Sequence, residues 1–155
     1  MSKYVSAARS ELLPFDVTPF VRDTCLCLHL QRAARSVARV FDNALRPVGL
    51  TNGQFSLLMS LNRPAPPLMR DLTGLLAMDR TTLTAMLKPL ERRGLVEVTP
   101  DKDDRRGRRL IITSQGRALL AQALTIWKST HAKIEALLPS ESDADSLRAD
   151  LKSLG

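Results

Sequence analysis

Four arginines fall within the five residues Arg105 to Arg109, interrupted only by Gly107 and preceded by Asp101, Asp103 and Asp104. Guanidinium groups stay charged in proteins and present their donors as a fork, so a turn that projects several suits phosphate or a narrow A·T-rich minor groove. A solvated loop whose charges pair among themselves would have the same composition. A second cluster stands upstream: Arg80, Thr81, Thr82, Thr84 and Lys88. An arginine can fork onto a guanine edge, threonine hydroxyls bond bases or phosphates, and threonine methyls meet the thymine methyl. The same threonines could also be plain surface polarity, with Thr82 merely supporting a helix cap.

Other chemistries fare worse. Cys25, Cys27 and His29 sit close in sequence, but at about 100° per residue on a helix Cys25 and His29 share a face while Cys27 points nearly opposite. One helix therefore cannot gather the three into a metal site, and the diverging Cβ directions argue against a Cys25 to Cys27 disulfide. The chain has no phosphate-cradling glycine loop and no paired carboxylates in an apolar setting, and its two histidines, His29 and His131, fall on separate predicted helices. An enzyme is not expected, and neither is a cofactor.

Composition favours a polyanionic partner. The 155 residues carry a formal charge of +7 and 44% hydrophobic residues, enough for one core. With one Tyr, one Trp and four Phe there is too little aromatic surface for single-strand stacking platforms, so duplex DNA is the better partner. No run approaches the roughly 20 apolar residues of a membrane span, and no secretion signal stands at the start. A cytoplasmic location, without membrane contact, is expected, and two cysteines fit a reducing compartment.

The elements that must position these clusters are readable from periodicity. Residues 1–20 lack a sustained pattern and read as an arm or short extra helix. From Val21, apolar residues Leu26, Leu30, Ala33, Val37, Phe41, Ala44 and Val48 recur at helical spacing, predicting one long amphipathic helix that closes near Pro47 and Gly49. Thr51 with Gln54 is a capping-box signature for a second helix, which ends at the proline cluster 64–67. A third helix is predicted over about 68–77 and a fourth over 79–93, with Asp79 as N-cap, Leu83, Met86, Leu87 and Leu90 facing inward and Gly94 as the left-handed stop. Pro89 lies inside this fourth helix, where a proline costs roughly 3 kcal/mol, so a bend or a loosened last turn is expected. Leu95, Val96 and Val98 pair with Leu110, Ile111 and Ile112 as a hairpin, Thr113 caps a long helix running to Pro139, and Ser140 with Asp143 suggests a last short one.

Two short helices joined by a tight connection at Met78 and followed by an arginine-tipped hairpin form the ordered pattern of a winged helix-turn-helix. The predicted fold is mainly α with a small β-hairpin wing: a winged helix-turn-helix at 49–112, flanked by a helical region made of 21–48 and 113–155. MDRTTLTAMLKPLERRGLVEV, from Met78 to Val98, resembles the recognition helix and first wing strand of MarR-family regulators. The DDRR at 103–106 is similar to that family's Asp-x-Arg wing motif, and ITSQGRALL from Ile112 matches its strand-to-helix junction. The resemblance covers residues 22–138. It implies that Arg106 enters the minor groove with Asp104 orienting it, and that Arg105 and Arg108 serve the wing. It implies further that Arg80, Thr81, Thr82, Thr84 and Lys88 meet the major groove. It also implies a homodimer, its interface drawn from the apolar stripes of the first long helix and of residues 118–138, reading a pseudo-palindrome as a repressor.

The family's regulation suggests a small aromatic or phenolic effector, for which His29, Gln31, Arg35 and Trp127 are candidate contacts. LCLHL around Cys27 resembles the first helix of the organic-hydroperoxide-sensing branch, where a cysteine in that position is oxidised. That branch surrounds its cysteine with tyrosines, and the corresponding places here are Gln31 and Phe41. Core packing is the competing role for Cys27. A winged-helix module for protein contacts, lacking selective duplex binding, is the remaining alternative.

Overall fold

A computed structural model describes residues 13–155; the predicted arm at 1–20 falls mostly outside them. The described chain divides into two units, residues 13–37 and Ala38–Gly155, with the boundary inside one helix. In the first unit, α1 (Val17–Thr24) precedes α2 (Leu26–Leu45). The single helix expected from Val21 is thus two, because Cys25 adopts an extended backbone (φ −71°, ψ 103°). Cys25 acts there as a cap: its Sγ accepts the Leu28 amide at 3.4 Å and its carbonyl accepts the His29 amide at 3.2 Å. Periodicity cannot see this break, since the apolar spacing continues across it.

The second unit starts in the C-terminal part of α2, where Phe41 and Leu45 are buried. Pro47 sits in a 3-10 turn, Arg46–Val48, that Gly49 closes in the left-handed region at φ 65°. The capping box then opens α3 (Asn52–Leu61) as expected, with Thr51 Oγ1 accepting the Gln54 amide at 3.2 Å and Gln54 Oε1 accepting the Thr51 amide at 3.0 Å. Both orphan donors of the first turn are thereby satisfied. After the prolines come α4 (Met69–Leu75) and α5 (Arg80–Arg92). Between them Ala77 takes a positive φ of 49°, a conformation that L residues adopt at a cost. α5 continues through Pro89 to Arg92, and Gly94 (φ 67°) ends it as predicted.

Strands β1 (Val96–Pro100) and β2 (Arg108–Ile112) form a two-stranded antiparallel hairpin, with Val98 opposite Leu110. α6 (Ser114–Glu135) follows, capped by Thr113, and α7 (Ala144–Lys152) is last. α7 starts at Asp143 rather than Ser140, because that carboxylate collects the amides of Asp145 and Ser146 at 3.3 and 3.0 Å. α3 packs on α5, β2 and α6, and the core between them is almost wholly leucine: Leu45, Leu58, Leu72, Leu83, Leu90 and Leu110 are fully buried. Each such side chain is worth roughly 1.5–3 kcal/mol against exposure, so this core holds the hairpin and the α4–α5 pair in one body. Among the described residues no helix is long and apolar enough to cross a membrane.

Candidate nucleic-acid interface

α5 is oriented by its buried leucines Leu83, Leu87 and Leu90, which turn the opposite face outward. Arg80, Thr81, Thr84 and Lys88 line one shallow depression along that face. Their spacing, one, four and eight residues from Arg80, keeps them on adjacent turns. Thr82 is turned elsewhere: its amide donates to Asp79 Oδ1 at 2.7 Å and its hydroxyl to Asp79 Oδ2 at 2.9 Å. These two bonds, the amide's first, hold the Asp79 carboxyl below the usual carboxylate range. The Thr84 hydroxyl donates to the Arg80 carbonyl at 2.7 Å, which leaves its oxygen lone pairs and its methyl to face outward.

The wing tip is tightly built. Asp101 closes the loop, its amide donating to the Gly107 carbonyl at 3.0 Å, while the Gly107 amide donates to the Asp104 carbonyl at 2.8 Å. Asp104 Oδ1 accepts the Arg106 amide at 2.9 Å, and Oδ2 pairs with Arg70 of α4 at 3.2 Å. Gly107 fits a tight space: a Cβ there would stand 3.0 Å from Asp101 Cβ and 3.1 Å from the Asp104 carbonyl oxygen, so the loop would have to give by a few tenths of an ångström. The Arg108 guanidinium folds back on the carbonyls of Arg105 and Gly107. Arg70, Arg80, Arg106 and Arg108 then line, with Asp104, a cleft of about 280 Å³ between α4, the start of α5 and the wing. Four guanidinium groups around one carboxylate leave excess positive charge, suited to a phosphate backbone.

The wing's root carries a further ion pair. Arg109 Nε donates to Asp101 Oδ1 at 2.6 Å, and the Asp101 side chain is only 5% exposed. Arg109 is the main reason the Asp101 carboxyl lies below its usual range. Sequence reasoning passed over Arg70 and counted Arg109 with the projecting arginines of the tip, since their roles come from residues 34 and 8 positions away that only the fold brings near.

The remaining candidates are divided between the two units. His29, Gln31 and Arg35 belong to the first unit and bond locally along α2: His29 Nδ1 lies 2.9 Å from the Cys25 carbonyl oxygen, Gln31 Nε2 donates to Cys27 Sγ at 3.3 Å, and Arg35 donates to Gln31 Oε1 at 3.4 Å. Cys27 is exposed, so it does not pack in this chain's own core. Trp127, in the second unit, stacks on His131 at 4.5 Å and on Phe55 and Phe41 at 6.0 and 6.4 Å. It walls an apolar groove of about 430 Å³ with Phe55, Met59, Leu76 and Leu124, in which Ser56 and Ser60 supply the only hydroxyls. Among the described residues no cluster of three potential metal ligands occurs.

Relatives place this geometry. A sequence model of the MarR family matches residues 50–107, from the start of α3 to the wing tip. The HTH-type transcriptional repressor NicR of Pseudomonas putida is 30% identical over 115 residues, which cover 74% of this chain and 70% of NicR. The transcriptional activatory protein BadR of Rhodopseudomonas palustris is 34% identical over 95 residues, or 59% of this chain, and the match spans about half of BadR (54%). Among solved structures, the M. tuberculosis transcriptional regulator MosR in complex with DNA is similar with a TM-score of 0.75 and 37% identity, over 84% of this chain and 92% of MosR. An arginine-tipped wing, an outward polar face on α5 and these matches across most of the chain agree: the protein belongs to the MarR family of transcriptional regulators.

Proposed function

We propose that two copies of this chain bind a pseudo-palindromic duplex operator as a repressor in the cytoplasm, with α5 in the major groove and the wing in the flanking minor groove. The observation that carries this reading is the continuity of the outward face of α5 with the arginine-lined cleft beneath the wing. Arg80, Thr81, Thr84 and Lys88 meet base edges and nearby phosphates, Thr82 holds the helix start through Asp79, and Arg105, Arg106 and Arg108 serve the wing with Asp104 bracing the tip. MosR is solved with DNA, which supports duplex DNA as the partner. NicR is named a repressor and BadR an activatory protein, so the sign of regulation rests on where the operator lies relative to the promoter. Exposed Leu147 and Leu151 on α7 and Leu154 just beyond it, with Phe20, Val21 and Leu26 near the other end, supply apolar surface for the second copy.

A flat phenolic effector fits the groove beside Trp127, because its wall is apolar, carries two hydroxyls and includes no cationic side chain to balance a carboxylate. It releases the operator only by binding one arrangement of the reading heads more tightly than the other. The test of the function is selection of bound duplexes from a random pool at near-physiological salt. An enriched inverted repeat with half-sites about 34 Å apart supports a dimeric regulator. Binding of every duplex alike, lost as salt rises, would sink it and favour a protein-contact module.

A further inference from the structure

The proline-rich connection between α3 and α4 is held against β2 by backbone contacts and by one side chain, Arg109. Pro66 and Pro67 lack amide hydrogens and the Leu68 amide is taken by Asp71, so over 66–68 this connection can join a strand only through its carbonyls and needs donors from its neighbour. β2 provides them. The Leu110 amide donates to the Pro67 carbonyl at 3.1 Å, and Leu68 forms an isolated antiparallel bridge with Arg109. Arg109 adds Nη1 to the Pro66 carbonyl at 2.8 Å while Nε holds Asp101 at 2.6 Å. Its guanidinium thus ties three segments: the connection, β2, and the loop that leaves β1. The loop matters most, since the Asp101 amide in turn holds Gly107, around which the tip arginines are arranged.

A two-stranded hairpin is marginal by itself, and this wing projects from its body. We propose that Arg109 is the wing's positioning residue: without touching nucleic acid, its fork onto Asp101 and Pro66 sets the path by which Arg105, Arg106 and Arg108 reach the minor groove. The role rests on the DNA-binding reading above, but the clasp itself is a property of the free protein. Lysine cannot replace it, because one ammonium does not span both acceptors in the geometry of a planar fork.

The test uses the full chain with Arg109→Met, Arg109→Lys and the double variant Arg109→Met with Asp101→Asn; the last removes the buried carboxylate that would otherwise stand unpaired. Two readouts are taken. Hydrogen exchange on the free protein is expected to speed at Asp101 and Gly107 in all three variants while the α5 amides keep wild-type protection. Hydroxyl-radical footprints on the selected operator are expected to lose the flanking minor-groove protections and keep those under α5, with affinity down about tenfold. In a double-mutant cycle the losses from Arg109→Met and Arg106→Ala should fall well short of additive, because a misplaced wing has no Arg106 contact left to lose. Additive losses, or protections weakened evenly across the site, would overturn the proposal in favour of general destabilisation. Unchanged exchange at Asp101 and Gly107 would overturn it regardless of DNA. If the wild type selects no duplex while the tip amides still loosen in the variants, the clasp stands and the DNA reading is what falls.

Discussion

The winged body and the two chain ends are built on opposite economies of burial. From Leu50 to Ile112 the helices and hairpin share one leucine core, with Leu57, Leu58, Leu72, Leu83, Leu90 and Leu110 fully buried. α1 and α7 have no buried residue at all, yet both are amphipathic and carry exposed Phe20, Val21, Leu147 and Leu151. One region buries its apolar side chains within a single chain and the other does not. The body presents polar and cationic side chains outward, as a surface for a charged partner must. The ends present apolar ones, the surface proposed above for a second copy.

The sharpest way to break this contrast is in the core. Leu58→Ala is expected to cost about 2–5 kcal/mol, because the surrounding helices close only partly over the cavity; thermal denaturation should show the loss, and duplex binding should go with it. A well-folded, DNA-competent variant would mean that the leucine core is not what holds the body together. Charges on the unpartnered stripe should act oppositely: Leu147→Asp with Leu151→Asp should leave the body folded by near-ultraviolet dichroism yet monomeric in sedimentation. Affinity for a full inverted repeat should then drop by about a hundredfold or more, the loss of joined half-sites. Arg106→Ala should disturb neither fold nor assembly, and is expected to lower operator affinity about tenfold and the salt slope by about one.

Acid should weaken both regions, because each holds carboxylates below their usual range. Asp79 and Asp101 are so held in the body, by Thr82 and Arg109; Glu135 and Asp143 are so held at the C-terminal end, by Arg148 and Ser146. A carboxylate with a depressed folded pKa stabilises the fold above its unfolded value, and that contribution disappears as pH falls through the folded value. Melting temperature should therefore hold near neutrality and decline below about pH 4. Asp101→Asn should flatten that decline, and an unchanged profile would remove Asp101 from the account. The smallest effect expected is at the helix-turn-helix corner, where Ala77→Gly relieves a positive φ and should stabilise by at most about 1 kcal/mol. Denaturant melts can resolve that difference.

Much of the body was legible because its signals are local. Thr51 with Gln54, Asp79 before α5, Gly94 after it and Thr113 before α6 each act within one turn of chain, and each stands where its residue type led one to expect. The outward face of α5 follows from the same periodicity that buries Leu83, Leu87 and Leu90. Thr82 was harder, since a threonine on a reading turn and a threonine bracing an N-cap have the same neighbours in sequence. The break at Cys25 was hidden for a related reason: the apolar spacing is indifferent to one extended residue whose thiol caps the next helix.

The elements from α3 to α6, the caps at Thr51, Asp79 and Thr113, the basic wing and the likeness to MarR regulators were determined by the sequence alone, through contacts that reach no more than a few residues. Tertiary structure alone decided which cations stand together. Arg70 meets Asp104 across 34 positions and Arg109 meets Pro66 across 43, pairings that exist only once the leucine core has set α4, the proline connection and the hairpin side by side. Long-range ion pairs leave no periodic trace in a chain, because a guanidinium needs only a nearby acceptor in space and is indifferent to its distance in sequence.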